Sequence, residues 1–445
     1  MHTGAGASAS AAGTPDTPGA LYGSVFLIIG STVGAGVLAL PAVTQPIGAA
    51  PSSLVLVATW ALLTLEAMLL VDVNLAVRAR RPREEQENLV SMRAMAAATL
   101  GPVGSSAVSA AYLALSYALL VAYSAKVSDL VGLLGGAVAP DAAEVALTAA
   151  FFGLLLSGGE RLVEAANTGL TGLLLLLFVG ILAGASSQAD WHVLTATAHW
   201  DAAPQAISIA FLSLVYHDLV PVICQLLDGD RRLITQAVLA GSVVPLAMFL
   251  AFNAVLLCAA GPPGDPLAHL VAQGGAVLGA AVAVFSLLAI FTSFAGTAIG
   301  LSATLASELQ AVGAAAGRDL APTQDRVLQR AVVLAVALGP PLAISLAHPG
   351  SFLAVLRAVG GYGMTCLWGI VPPLMAFSLS PAKHGSRGTL HPAALALAFL
   401  ASVGVELDCL AKDGVLQGAT DAVVPSIVTA SQSLWHVLGA LAGGA

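Results

Sequence analysis

Eleven apolar stretches, each near the roughly 20 residues that carry a helix across a bilayer, follow one another along this chain of 445 residues. Their limits read 23–44, 52–77, 104–125, 143–158, 165–185, 203–224, 235–259, 276–305, 328–347, 351–379 and 391–410. The fourth is short, and Glu406 and Asp408 interrupt the eleventh. In hydrocarbon the backbone must pair its polar groups within the segment, so such runs are read as helices. Only 9% of the residues are charged, against about 25% in a soluble protein. Mean hydropathy is +0.91, and no hydrophilic block is long enough for a separate domain. The fold class read from these features is an all-α integral membrane protein with eleven transmembrane helices.

Basic residues test the orientation. With the N-terminus inside and spans alternating, the inside loops hold Arg78, Arg80, Arg81, Arg83, Arg93, Arg161, Arg231, Arg232, Arg318, Arg326, Arg330, Lys383 and Arg387. Only Lys126 and Lys412 fall outside, while Arg357 sits within the tenth span, near its outer end, where its long chain can snorkel. That skew obeys the positive-inside rule. Residues 1–20 are rich in Ala, Gly, Ser, Thr and Pro without Lys or Arg. They lack the basic start and apolar core of a secretory signal and are expected as a flexible tail. Residues 411–445 are too broken to be counted as a span. The first inside loop, from Arg78 to Leu100, is expected as a charged loop leading to an interfacial helix. Glu160, Arg161 and Glu164 are expected as a solvated loop cluster. Cys224, Cys258, Cys366 and Cys409 lie in apolar runs without metal-ligand spacing, so neither a metal nor a disulfide framework is expected.

The first span carries the chemical signal. Gly30, Ser31, Thr32, Gly34 and Gly36 fall within seven residues, and each glycine costs a helix interior about 1 kcal/mol relative to alanine. Open backbone survives at membrane depth only where it lines a cavity or is buried in protein. Two readings are open: a polar ligand held by main-chain groups, or close helix packing through the Gly30/Gly34 pair. The sixth span is interrupted as well, because Tyr216, His217 and Asp218 are followed by Pro221, which removes an amide donor and clashes with the preceding turn. The two breaks lie five spans apart. Five is odd, so a second five-span unit is inverted relative to the first, and paired broken helices in inverted halves point to a secondary transporter's substrate site. Freed amides around Gly34, Ala35 and Gly36 suit a carboxylate. Freed carbonyls around Leu214 and Val215 suit an ammonium group, so a zwitterionic amino acid satisfies both ends.

Ionisable groups inside a membrane are costly, hence functional candidates. Glu66 lies mid-span in the second segment, with Asp72 and Asn74 further along. Glu66, His217 and Asp218 are the proton-coupling candidates, each with a structural role as its alternative; histidine changes charge near neutral pH. Enzyme classes find no support: there is no Gly-Lys-Ser/Thr loop, no His-x-x-x-His and no Cys-x-x-Cys. Nothing resembles a channel filter or a ring of charge. No cofactor and no nucleic-acid partner is expected; the partners are a small-molecule substrate, a coupling proton and the lipid bilayer.

Several short pieces occur in order: Gly-Ser-Thr-Val-Gly-Ala-Gly-Val-Leu-Ala-Leu-Pro (30–41), Val-Asp-Val-Asn (71–74), Tyr-Ala-Leu-Leu-Val-Ala-Tyr (117–123) and Val-Tyr-His-Asp-Leu-Val-Pro (215–221). Asp228-Gly-Asp230, Leu-Ala-Ile-Phe-Thr-Ser-Phe (288–294), Pro340-Pro341, Tyr362-Gly363 and Val-Pro-Pro-Leu-Met-Ala (371–376) complete the set. On these pieces, over residues 21–410, the chain resembles the aromatic amino acid (tryptophan/tyrosine) permeases of the amino acid–polyamine–organocation superfamily. Ala-Lys-Val-Ser-Asp (125–129) and the segment after Val220 look more like the plastid and cyanobacterial branch than the enterobacterial one.

The resemblance implies a five-plus-five inverted-repeat fold, with repeats over about 21–185 and 203–379 and an extra helix over 391–410. It also implies proton-coupled uptake of tyrosine or tryptophan. Family positions carry over to Ser31, Thr32, Gly34, Ala35 and Gly36, to Val215, Tyr216 and His217, and to Thr292, Ser293 and Phe294. Tyr117 and Phe294 are candidates for stacking on an aromatic substrate; as ordinary core aromatics they would read the same. The chain departs from the family in having Asp72 where glutamate is usual, Glu66 where a neutral residue is expected, and His391-Pro392 where glycines are expected. A bacterial inner membrane or a plastid envelope is implied, the latter slightly favoured. Transport of other neutral amino acids, or sensing without transport, are the alternatives.

Overall fold

The computed structural model describes residues 17–82, 89–133, 139–157, 160–187, 189–196, 198–259, 275–315, 326–379, 400 and 402. Among them there is helix and no strand. The first span is two helices, Thr17–Thr32 and Gly36–Thr44, bent by 54° at the glycine break. The second is Ala49–Arg80, the third lies within Met92–Leu133, the fourth is Pro140–Leu156 and the fifth Glu160–Ser186. The sixth is assembled from Trp200–Ala206, Ile207–Leu214, His217–Leu219 and Val220–Leu226. Arg231–Ala259, Gly275–Ala315 and Arg326–Ala347 form the seventh to ninth, and Phe352–Ser378 the tenth. Ten of the eleven expected spans are thus in place. The eleventh, 391–410, lies outside the described residues except for Leu400 and Ser402.

Two expectations shift. Glu160, Arg161 and Glu164 are not in a loop but in the first turns of the fifth-span helix. The segment after the first inside loop is helical from Met92, as expected, yet it is not simply interfacial: Val90, Met95 and Ala96 are buried in the protein. Asn74 donates to the Val90 carbonyl at 3.0 Å, and Arg93 pairs with the buried Glu308 at 2.5 Å, tying this helix to the second and eighth spans. It turns into the third span at Gly101, whose φ is 75°, a conformation open to glycine at little cost. Pro102 follows, suited to the first turn of the new helix.

The spans pack in matched pairs. The first lies on the seventh, and the sixth lies on the second; the fifth lies on the eighth, and the tenth on the third. The third also packs on the eighth and the fourth on the ninth, as the second does on the seventh. Adding five to each member of a pair (modulo ten) reproduces another pair for most of them. At the end of the second span where its arginines sit, Asp72 accepts from Arg231 at 2.8 Å, and Arg78 pairs with Asp228 while donating to the Cys224 carbonyl at 3.2 Å. The Arg78 bonds tie the end of the sixth span to the second span, and the Arg231 bond ties the start of the seventh to it. Asp72 is therefore an ion-paired residue near a helix end. At the opposite end, Thr44 donates to Asn253 Oδ1 at 2.5 Å and Asn253 donates to Ser52 at 2.8 Å, joining the first, second and seventh spans.

The tenth span departs from α-helix over Val359–Ile370, which is a π-helix. Its wider turn is sealed by Thr365, whose hydroxyl donates to the Gly360 carbonyl five residues back at 3.1 Å. Extended π segments are rare and concentrate at functional sites. This one faces the interrupted sixth span.

Candidate functional site

Both interruptions open onto one cavity of about 860 Å³ between the first, third, fifth, sixth, eighth and tenth spans. Ser31, Thr32, Gly34, Ala35 and Gly36 line it from the first span, Val215 and Asp218 from the sixth, and Thr292 and Ser293 from the eighth. The cavity runs along the N-terminal half of the first span, where Phe26 and Ser31 are exposed. At the other end it is shut, because Val37, Leu38, Ala39, Leu40, Pro41, Val43 and Thr44 are all buried.

The backbone of the first break is only partly self-satisfied. The Gly34 amide bonds to Thr32 O at 3.1 Å, and Val37 and Leu38 bond back to Gly34 O and Ala35 O, each at 3.2 Å. The Ala35 amide donates to Ser293 Oγ at 3.0 Å, so a side chain of the eighth span completes the turn. The Gly36 amide is left without an acceptor among the described residues. Glycine is required here by close approach. A Cβ on Gly34 would meet Ser293 Oγ at 2.6 Å, and one on Gly36 would meet the Ser213 backbone at 3.1 Å. The second break is an extended residue, Val215, with φ −73° and ψ 137°. It interrupts the helical ladder beyond Leu214, which frees the carbonyls of the preceding turn.

The remaining expected residues are distributed differently. Tyr216 and His217 do not face the cavity; they are fully buried on the far side of the sixth span. The His217 imidazole lies between the rings of Tyr216 and Trp368, 5.2 and 5.8 Å between centroids, and neither nitrogen makes a hydrogen bond. Tyr216 OH and Thr64 Oγ1 are likewise buried without a bond. Glu66 is fully buried and outside the cavity; one carboxyl oxygen accepts from Ser402 at 3.2 Å, and the other has no partner among the described residues.

Neither aromatic stacking candidate reaches the cavity. Phe294 packs on Phe151, with centroids 4.9 Å apart. Tyr117 donates to the Val336 carbonyl of the ninth span at 2.7 Å. Tyr117→Phe is therefore expected to lower stability by about 1 kcal/mol and leave substrate affinity unchanged, as thermal unfolding and a binding isotherm would report.

The aromatic groups that do face the cavity from the third and tenth spans are Tyr112, Tyr123 and Trp368. Tyr112, Ser116, Leu119 and Tyr123 follow the i, i+4, i+7, i+11 stripe of one helix face. That stripe was readable, and Tyr117 lies roughly 140° off it at 3.6 residues per turn. Tyr112 and Tyr123 share the cavity wall with Asp218, Ser293 and Thr297. Trp368 had no such signal, because its facing depends on the π-helix.

Comparison with known proteins adds relatives to this geometry. Residues 17–410 match the model of the tryptophan/tyrosine permease family. The chain is 26% identical to the tyrosine-specific transport system 1 of Haemophilus influenzae, over 79% of this chain and 86% of that one. It is 23% identical to the tryptophan-specific transport protein of Pseudomonas aeruginosa, over 85% and 91%. Among solved structures, a mutant of the manganese transporter of Eremococcus coleocola superposes with a TM-score of 0.56 over 96% of this chain and 95% of that one. At 14% identity that likeness concerns the fold alone.

Proposed function

The chain belongs to the tryptophan/tyrosine permease family, and from that premise we propose that it is a secondary transporter of tyrosine or tryptophan, driven by protons and working by alternating access. It is a membrane transporter by family, not an enzyme. The observation that carries the mechanism is the one cavity shared by the two interrupted spans, which runs along the N-terminal half of the first span and stops at the buried Gly36–Thr44 helix. The matched packing pairs support two five-span repeats of opposite orientation. With the N-terminus inside, as the basic loops favour, the conformer faces inward.

In this reading the substrate carboxylate meets the Gly36 amide at the start of Gly36–Thr44, where the helix dipole favours negative charge. The ammonium group lies toward the sixth-span break. The aromatic ring lies among Tyr112, Tyr123 and Trp368. Glu66 carries the coupling proton: a buried carboxyl without a cation beside it is tolerated in the neutral form, so it takes up or releases a proton only when the spans rearrange. His217, adjacent to the second break, is the alternative carrier.

Substrate class is tested by counterflow in proteoliposomes loaded with unlabelled tyrosine. Labelled tyrosine or tryptophan is expected to enter, and labelled leucine to enter at background rate. Leucine entry equal to that of tyrosine would retain a transporter and remove the aromatic specificity.

A further inference from the structure

The cavity carries one formal charge among the described residues that line it, and it is negative. No Lys, Arg or His contributes to its wall, whereas Asp218 is exposed into it. Asp218 sits in the short turn His217–Leu219 directly after the extended Val215, and the Leu219 amide closes that turn on the Tyr216 carbonyl at 3.0 Å, so the residue is placed at the break by the backbone. No cation among the described residues pairs with it. Across the cavity the provision for a carboxylate is thinner. The Gly34 amide is used by Thr32, and the Ala35 amide by Ser293, which leaves Gly36. Tyr123 lines the same cavity as Asp218 and Ser293.

We infer that Asp218 is the counter-ion of the substrate's ammonium group, and that the site selects an aromatic primary amine before it selects an amino acid. This inference rests on the proposed transport of aromatic amino acids and deepens it. A charge-assisted bond to a carboxylate is about twice as strong as a neutral one, and one neutral amide opposite it is the weaker anchor. The ligand class therefore includes arylethylamines, which keep the ring and the ammonium but lack the carboxylate. Arylpropionates, which keep the ring and the carboxylate, are repelled by Asp218. The carbonyls freed near Val215 assist the same ammonium group.

The test is competition against labelled tyrosine in counterflow, using the full chain in proteoliposomes. Tyramine and 3-(4-hydroxyphenyl)propionate are the competitors, each at the same concentration. Tyramine is expected to compete at least about tenfold better than the propionate, a ratio that corresponds to about 1.4 kcal/mol. Asp218→Asn is expected to raise the half-saturating tyrosine concentration by about tenfold or more and remove tyramine competition, with Asp218→Glu restoring part of both. Equal or better competition by the propionate in the wild type overturns the assignment without any variant. Unchanged tyramine competition in a folded Asp218→Asn protein overturns it too. Tyrosine counterflow in the wild type shows separately that the transport reading stands; its absence removes that reading and this inference together.

Discussion

Gly36→Leu is expected to abolish tyrosine counterflow in a protein that still folds and inserts. The glycine sits where the first span restarts, with the Ser213 backbone 3.1 Å from the position of a Cβ. A leucine side chain must displace the sixth span or project into the cavity, and it shields the amide left free for a carboxylate. Overpacking of this kind costs about 1–3 kcal/mol of stability, which a bundle of this size can absorb. Losing the partner of a desolvated carboxylate costs a similar amount or more, about 10- to 100-fold in apparent affinity, and steric occlusion adds to it. Gly36→Ala, with only the 3.1 Å contact to relieve, is expected to retain reduced transport. Counterflow and thermal unfolding measured on the same preparations separate the two effects. Wild-type counterflow in Gly36→Leu would remove the first break from the substrate site.

The second large effect is expected at Glu66, and its form depends on the substituent. Glu66→Gln keeps the shape and the contact with Ser402 but cannot carry a proton. Accumulation driven by a proton gradient is expected to fall to background, while counterflow, which needs no net proton movement, continues. Glu66→Ala removes buried contacts as well, and is expected to lower stability by about 2 kcal/mol. Gradient-driven accumulation retained by Glu66→Gln would transfer the coupling role to His217, and His217→Gln is the matching experiment.

Some of this architecture is legible in the chain, and the limit has a physical cause. A run of apolar residues is long enough or not, so the spans were readable even where their ends moved by several residues. The first span is already helical at Thr17, ahead of residue 23, because helix is indifferent to where hydrocarbon stops. The two interruptions were readable for a related reason: Gly34, Gly36 and Pro221 act on the backbone locally, whatever surrounds them. Which side of an interrupted helix faces a ligand is different. The Tyr216–His217–Asp218 run has no helical period to follow, since Val215 is extended, and the structure sends Asp218 into the cavity and its two neighbours away from it. Tyr117 and Phe294 are aromatic residues in the right spans, yet facing is a property of register. Tyr123 has the register that faces the cavity. Trp368 faces the cavity through a π-helix that no residue pattern announced.

Accumulation of labelled tyrosine is the measurement that tests the transporter reading most directly. Proteoliposomes of the full chain are given an inward-directed proton gradient, with and without a protonophore. The expected result is internal tyrosine rising above the external concentration and collapsing to equality when the protonophore is added. Saturable tyrosine binding with no flux in sealed vesicles would contradict it, and would make the cavity a sensor's binding site.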